Sequence, residues 1–483
     1  MATIYDLEPK RVFHHFAELC KIPHGSGNLQ TISDHLVNFA KAHGLKYTQD
    51  EALNVIIEKD ATPGYENEPG IILQGHMDMV AVHKPELDID MTKDPLKPMV
   101  DGDYLYAEGT SLGGDDGIAV AYALAILEDD TLPHPHLDVV ITTNEETGMD
   151  GAVAIDISSL KGTRLFNLDS EDEGVFLVGC AGGARVDHIF HVNKEEKTGY
   201  GLSVLITGLQ GGHSGAEIHK ERGNANVLMG RLLCELREVA PIYIYDLDGG
   251  LADNAIPREC RVSFLTDGDV AAFESVIADF EKTVKIELAT KDPGFAVKVS
   301  RVPEQTASVM DQEALQHMCD ALIALPNGVQ AMSADVPGLV QTSLNNGILR
   351  LEENRVYLVT SVRSSIGSEK DTLIRKICTI TKLCGGKNNI RGEYPGWAYR
   401  TDSPFRDLCL QVYRDMYHKE PKVEAIHAGV ECGLLIEKRP DLDAVSIGPD
   451  MKDIHTTEEK LGISSAGRVY EYVCKVLAQK VNG

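Results

Sequence analysis

His76, Asp115, Glu146, Asp169 and His455 are two imidazoles and three carboxylates, each set where an apolar run gives way to a loop or a loop opens a helix. Nitrogen and oxygen donors of this kind suit zinc, with manganese and cobalt as alternatives. Three carboxylates plus one hydroxide balance two divalent cations, and a pair of cations can clamp an attacking water and a developing oxyanion. Any one of the five alone reads as a cap, a surface group or a core histidine; their shared placement makes them a set. The first lies in Gly75-His76-Met77-Asp78, directly after the apolar run Ile71-Ile72-Leu73, which predicts a buried strand. His76 and Asp78 are two apart and project to one side in extended chain. At a strand's C-terminal end that side can face the crevice where open α/β sheets keep their ligands.

The elements that must hold these groups follow from pattern. Helical spacing covers residues 7–19 and 31–42, with the turn-rich loop Ile22-Pro23-His24-Gly25-Ser26-Gly27-Asn28 between. Strands are predicted near 47–48, 54–58 and 71–74. Residues 79–108 contain Pro85, Pro95 and Pro98 and read as irregular chain or a short hairpin. Gly113-Gly114-Asp115-Asp116-Gly117 then opens a helix over 119–127, its small residues permitting close backbone approach. An aspartate at a helix start is ordinarily an N-cap, and that explanation competes for Asp116. Residues 137–143 predict a strand ending in Asn144-Glu145-Glu146-Thr147-Gly148. Two consecutive glutamates repel when desolvated without a cation. From an extended backbone they point apart, so Glu146 as ligand leaves Glu145 for chemistry. Residues 164–168 form another short strand, ending in Asp169-Ser170-Glu171. Three apolar runs thus end in acid-bearing loops, which a doubly wound sheet gathers on one edge.

From about residue 185 the texture changes. Alternating runs at 201–207, 261–265 and 356–362 suggest an antiparallel sheet, with helices over 224–239, 270–289 and 311–325. The expectation is a catalytic domain in two parts, 1–185 and 394–483, interrupted by an inserted lid and dimerisation domain at 186–393. The late part carries a helix at 404–417, strands at 422–426 and 444–448, and a last helix at 463–479. Thr457 and Lys460 loosely suggest a capping box before that helix.

Composition sets the outer bounds. Hydrophobic residues are 43% and charged residues 25% of 483, which is ordinary globular usage and allows a large core. A formal net charge of −28 argues against nucleic acid and anionic membranes as partners. The ten cysteines are scattered without a Cys-x-x-Cys pair, as expected of buried free thiols in a reducing compartment, and offer no thiolate zinc site. The N-terminal residues lack a basic and an apolar segment, so no signal peptide is expected and a cytoplasmic location is.

Five motifs then carry a resemblance: Gly75-His76-Met77-Asp78, Gly114-Asp115-Asp116-Gly117, Asn144-Glu145-Glu146-Thr147-Gly148, Asn167-Leu168-Asp169-Ser170-Glu171 and Ile454-His455-Thr456. They resemble the ligand motifs of the dinuclear zinc peptidases that include carboxypeptidase G, peptidase T and peptidase V, and within these the aminoacyl-histidine dipeptidase branch. Gly211-Gly212-His213-Ser214-Gly215 and the loop at 427–434 extend the resemblance over nearly the whole chain. It implies an α/β fold, a catalytic domain with a central mixed sheet flanked by helices plus an inserted α/β lid. It implies two divalent metal ions, zinc first, with Asp115 bridging them, His76 and Asp169 completing one site and Glu146 and His455 the other. Asp78 would hydrogen-bond the second nitrogen of His76. Glu145 would be the general base on water and then the acid for the leaving amine. His213 would stabilise the oxyanion, and Arg363 would hold the substrate carboxylate through its donor fork. Backbone amides of the His427–Gly429 loop would face that anion, with Asn254 a further contact. Asp116 stands where some relatives have asparagine. The implied activity is hydrolysis of dipeptides with a free C-terminal carboxylate, Xaa-His dipeptides above all, by a homodimer whose His213 acts within one chain or from a partner subunit. An aminoacylase or deacetylase on the same scaffold, or a silent metal-binding protein, is the alternative. Glu145, unneeded as a ligand, argues against silence.

Overall fold

The computed structural model describes residues 3–481. The chain packs as two compact units. One comprises the chain up to Gly179, Tyr399–Ala425 and everything from Val430 on; the other comprises Cys180–Ala398 and Ile426–Gly429. The divisions therefore fall at 179/180 and 398/399 rather than at 185/186 and 393/394. The reason lies in pairing. Strand Gly182–His191 is flanked by Arg355–Ser364 and Lys387–Tyr394, so residues 182–185 belong to the inserted sheet. Where the chain crosses between units, Cys180 and Trp397 exchange backbone hydrogen bonds of 2.9 and 3.0 Å.

The first unit is built on an eight-stranded mixed sheet in the order Lys46–Gln49, Val55–Lys59, Leu137–Thr142, Gly70–His76, Gly162–Asn167, Asp443–Ser446, Val175–Cys180, Lys422–Ile426. The four strands from Leu137–Thr142 to Asp443–Ser446 run parallel. Nearly every residue in them is buried, because helices cover both faces of a parallel sheet. Helix Gly114–Leu127 is apolar from Ile118 on and buried along its length, as expected of a helix inside a core. Phe13 and Phe16 of helix Lys10–Leu19, Phe405 of Pro404–Tyr417 and Tyr472 of Ile463–Leu477 complete the same cluster. Phe166 meets Phe405 edge-on at 5.4 Å. Each such ring contributes roughly 1.5–3 kcal/mol on burial.

A small four-stranded sheet joins distant sequence: Met451–Lys452, Lys460–Gly462, Tyr104–Ala107 and Pro98–Asp101. Because Lys460–Gly462 is a strand, the expected capping box does not form; the last helix starts at Ile463, with Gly462 at its N-cap and no side-chain cap.

The second unit has a nine-stranded sheet, in the order Ala296–Met310, Lys194–Thr207, Cys260–Thr266, Ile242–Gly249, Val340–Leu351, Arg355–Ser364, Gly182–His191, Lys387–Tyr394, with Gly328–Met332 off the path. The described pairings are antiparallel. Helices Ala225–Arg237, Val270–Glu287, Gln312–Ala324 and Gly367–Leu383 bury their apolar faces in its own core. Among the described residues no helix is long and apolar enough to cross a membrane.

Candidate active site

The parallel strands deliver four loops to one edge of the first sheet. His76 ends Gly70–His76; Glu145 and Glu146 follow Leu137–Thr142; Asp169 follows Gly162–Asn167; His455 follows Asp443–Ser446 through the hairpin Met451–Gly462. Asp115 sits at the start of Gly114–Leu127 and stands between the two imidazoles. Its Oδ1 lies 3.1 Å from His76 Nε2, and its Oδ2 lies 3.0 Å from His455 Nε2. Asp169 Oδ1 is 3.6 Å from His76 Nε2, and Glu146 Oε2 is 3.0 Å from His455 Nε2. The five ligand candidates thus form two lobes joined by one carboxylate.

The glutamates are not in extended chain. Glu145–Gly148 is a helical turn entered through Asn144 at φ +51°. Consecutive side chains on a helix diverge by about 100°, so the separation of the two carboxylates has this origin. Glu145 shares a donor cluster with His76 and Glu146.

Electrostatics tests whether cations fit. Hydrogen bonds from its ring to the Asp115 and Glu146 carboxylates push His455 up to about 10. Burial works against the cationic ring of His76, yet Asp115, Asp169 and Asp78 hold its pKa well above the usual value. Burial also pushes Asp169 up to about 6 and Glu145 up to about 9. Glu146 Oε1 and Asp116 Oδ1 are buried without a hydrogen-bond partner. Protons on the imidazoles occupy the position that a cation would take, and the donor set fits two divalent ions. Metal loading at pH 7 should therefore expel about two protons per chain as the imidazoles become neutral ligands. Titration calorimetry in buffers of different ionisation heat measures this, and proton-free binding would remove both histidines from the ligand set.

Groups behind the site position it. Asp78 meets His76 chiefly through its backbone carbonyl, with the carboxylate at ion-pair distance. His76 Nδ1 donates to the backbone carbonyl of Asp78 at 2.9 Å, while the Asp78 carboxylate stands 3.5 Å away. That carboxylate instead accepts from Glu145 N at 3.0 Å and Ser26 Oγ at 2.8 Å, fixing the glutamate turn. Asp116 accepts from His76 N at 3.2 Å. It packs so closely over Gly75 that a β-carbon there would lie 2.4 Å from its Oδ2.

Two residues carry roles the sequence did not signal. Glu459, only 3% exposed, accepts backbone hydrogen bonds from Leu112, Gly113 and Gly114 at 2.8, 3.2 and 2.8 Å. One hairpin thus supplies His455 and braces the loop of Asp115. Glu431, fully buried, accepts from Gln74 Nε2 and from Thr142 Oγ1, and Asn167 donates to Gln74. This network ties three parallel strand ends together beneath the ligands. Glu459→Gln replaces half of an acceptor with a donor facing N–H groups. It should weaken metal affinity about 10–100-fold while circular dichroism stays native; unchanged affinity would reduce Glu459 to a structural cap.

The second unit gathers the other expected residues. His213 pairs in a short two-stranded ladder with Ala255. Its Nδ1 accepts from Gly215 N at 3.3 Å and Ala216 N at 3.1 Å, which puts the ring proton on Nε2. Burial and the Arg363 cation lower its pKa, keeping that tautomer neutral. Arg363 is 9% exposed; it donates from Nη1 to Tyr394 Oη at 3.2 Å and has no partner at Nε. His427 bonds Ser343 Oγ through Nε2 at 2.7 Å, leaving Nδ1 buried and unpartnered. Burial and Arg363 take His427 down to about 3. Gly429 follows in the same loop, half-buried. Asn254 has an exposed side chain, and its backbone carbonyl accepts from Ser214 N at 2.8 Å, so its observed role is to steady the His213 loop.

Known proteins resemble this chain over nearly its whole length. Residues 72–479 match the family described as peptidase family M20/M25/M40. The chain is 36% identical over 482 residues to the cytosol non-specific dipeptidase of Escherichia coli K12, covering 99% of each. It superposes on the crystal structure of aminoacylhistidine dipeptidase from Vibrio alginolyticus with a TM-score of 0.93 and 35% identity, covering 99% of this chain and 98% of that one. An aminopeptidase of Bacillus cereus shares the fold at a TM-score of 0.58, 16% identity and 98% coverage of both chains.

Proposed function

The chain belongs to the peptidase family M20/M25/M40 and is a peptide-bond hydrolase, and from that premise we propose that it hydrolyses dipeptides bearing a free C-terminal carboxylate, Xaa-His dipeptides among them. The observation that carries this reading is Asp115, whose two oxygens face His76 and His455 separately. His76 and Asp169 would hold one divalent cation, Glu146 and His455 the other, with Asp115 shared. Bound there, two such ions supply Lewis acidity toward the scissile carbonyl and a lowered pKa for water.

The chain's own groups do the rest. Glu145 removes the proton of the attacking water and returns it to the leaving amine. Its turn is fixed by Asp78, so the carboxyl swings little between the two transfers. His213 offers an Nε2–H donor for the oxyanion, and Arg363 offers unused guanidinium donors for the substrate carboxylate. His427 and Gly429 shape the loop beside that arginine, with Asn254 holding its neighbour. Zinc is the metal this donor set favours. A cytoplasmic homodimer is the proposed working form, in line with the cytosolic name of the E. coli relative.

The relatives differ in stated breadth, one non-specific and one aminoacylhistidine-directed. A panel of β-alanyl-histidine, other Xaa-His and histidine-free dipeptides, with N-acetyl amino acids alongside and with and without chelator, tests the reading. Dipeptide cleavage that stops on chelation and returns with zinc is expected; cleavage of acetylated amino acids alone would replace it with the aminoacylase. Arg363→Ala should weaken binding of free dipeptides far more than of amidated ones. Equal loss on both sinks the carboxylate role.

A further inference from the structure

Helices Ala225–Arg237 and Gln312–Ala324 of the second unit pack against each other in a register that can be followed step by step. A β-carbon on Gly230 would lie 2.6 Å from the Leu322 β-carbon, so the backbones approach closely there. One turn on, the register between the Gly230–Leu322 approach and the Arg237–Gln316 bond sets Cys234 opposite Cys319, and the two thiols interact. A further turn on, Arg237 donates to the Gln316 side-chain carbonyl. The order 230, 234, 237 against 322, 319, 316 makes the pair antiparallel, with the two sulfurs facing across its narrow part.

Packed helix axes lie about 8–10 Å apart, the lower end where glycine faces the partner. With Cα atoms about 2.3 Å from each axis, that spacing leaves directly facing Cα atoms roughly 3.4–5.4 Å apart, which overlaps the lower part of the roughly 4.4–6.8 Å that a disulfide spans.

The two thiols differ in access. Cys319 is 0% exposed, whereas Cys234 is partly open to solvent. The hydrogen bond from Cys319, aided by the Arg237 guanidinium and opposed by burial, lowers the pKa of Cys234 toward about 7. Burial raises Cys20, Cys260, Cys378, Cys384, Cys409 and Cys474 instead. The carboxyl end of the helix dipole works against a thiolate at Cys234; Arg237, in the same turn, offsets it.

We propose that Cys234 and Cys319 are an oxidisable dithiol, a modification site in which Cys234 reacts with a hydroperoxide and Cys319 resolves it. The Cys234 thiolate attacks one peroxide oxygen; an S–O bond forms, the O–O bond breaks, and the departing hydroxide takes a proton to become water. Cys319 then loses its proton and attacks the sulfenic sulfur; the S–S bond forms, the S–O bond breaks, and the second hydroxide leaves as water. Two thiols lose two electrons in all, and hydrogen peroxide is reduced to two waters. Because Cys319 is sealed, the oxidant reaches the pair only through Cys234. The site is independent of the proposed peptidase chemistry.

Treating the full-length protein with stoichiometric hydrogen peroxide tests it. Mass spectrometry should find Cys234 and Cys319 in one cross-linked peptide 2 Da lighter than its reduced halves, reversed by dithiothreitol. Cys319→Ser should leave Cys234 as a sulfenic acid that dimedone captures, and Cys234→Ser should leave Cys319 reduced. Circular dichroism of both variants verifies folding, and the wild-type cross-link needs neither. Oxidation appearing first at another cysteine, or a sulfenic acid at Cys234 in the wild type that never becomes the disulfide, overturns the proposal.

Discussion

Glu145→Gln should keep its full metal content and lose about 10²–10⁴-fold in kcat, the usual contribution of a positioned general acid–base group. The glutamine is nearly the same shape and keeps the hydrogen bond from its backbone N–H to Asp78, so the turn survives. What disappears is a proton acceptor. Burial among Asp169, Glu431 and Glu146 holds the Glu145 carboxyl at about 9 before any cation is present. Adjacent divalent charge favours the carboxylate and brings that value down toward neutrality. The activity of the wild type should accordingly rise with pH through the Glu145 titration in the metal-loaded enzyme. That limb should vanish in the glutamine variant. A variant with near-native kcat on the best dipeptide refutes the role, and one that loses metal moves Glu145 into the ligand set.

Asp115→Ala should have a still broader effect, emptying both metal sites at once. His76→Ala and His455→Ala each remove one lobe's imidazole, and their metal content by elemental analysis should fall while the opposite lobe keeps its full set. Asp115 alone serves both lobes, through oxygens 3.1 and 3.0 Å from the two imidazoles. Its loss also leaves the like charges of Glu146 and Asp169 without the shared bridge. The alanine variant should therefore bind neither ion stoichiometrically and show no measurable hydrolysis. Full metal retention in His76→Ala and His455→Ala together would dissolve the assignment.

The strand ends that carry the candidate ligands were legible because parallel strands announce themselves. Ile71-Ile72-Leu73, Val139-Val140-Ile141 and Leu165-Phe166 are apolar cores of short strands, and the acids that follow them sit at strand ends whatever the sheet order. The hairpin that returns His455 was less legible, since Met451–Lys452 and Lys460–Gly462 are too short to show a period. Glu459 left no trace, because its partners are backbone N–H groups, which every non-proline residue possesses. Asp78 was located but its contact was not; both its carbonyl and its carboxylate reach the site, and side-chain type alone does not choose between them. Residues 422–426 read as a strand and 427–434 as a loop opening a helix, yet Ile426–Gly429 packs with the other unit. Long-range pairing drew that boundary, and no residue in the tetrapeptide encodes it. Helix Gly367–Leu383 escaped for a plainer reason: only one stripe of it is buried, and threonines and lysines interrupt the pattern.

Strand Asp443–Ser446 completes the parallel core beside Gly162–Asn167, and it is made only after the whole second unit. A ribosome extends a chain by roughly 5–20 residues per second, so some tens of seconds pass between the emergence of Asp169 and that of His455. Until Asp443–Ser446 is made, Gly162–Asn167 lacks its neighbour on that side, an open edge of the kind that invites wrong pairing. On the proposed ligand set, the site stays incomplete until His455 emerges. On the same reading, chains cut short before His455 lack one lobe's imidazole.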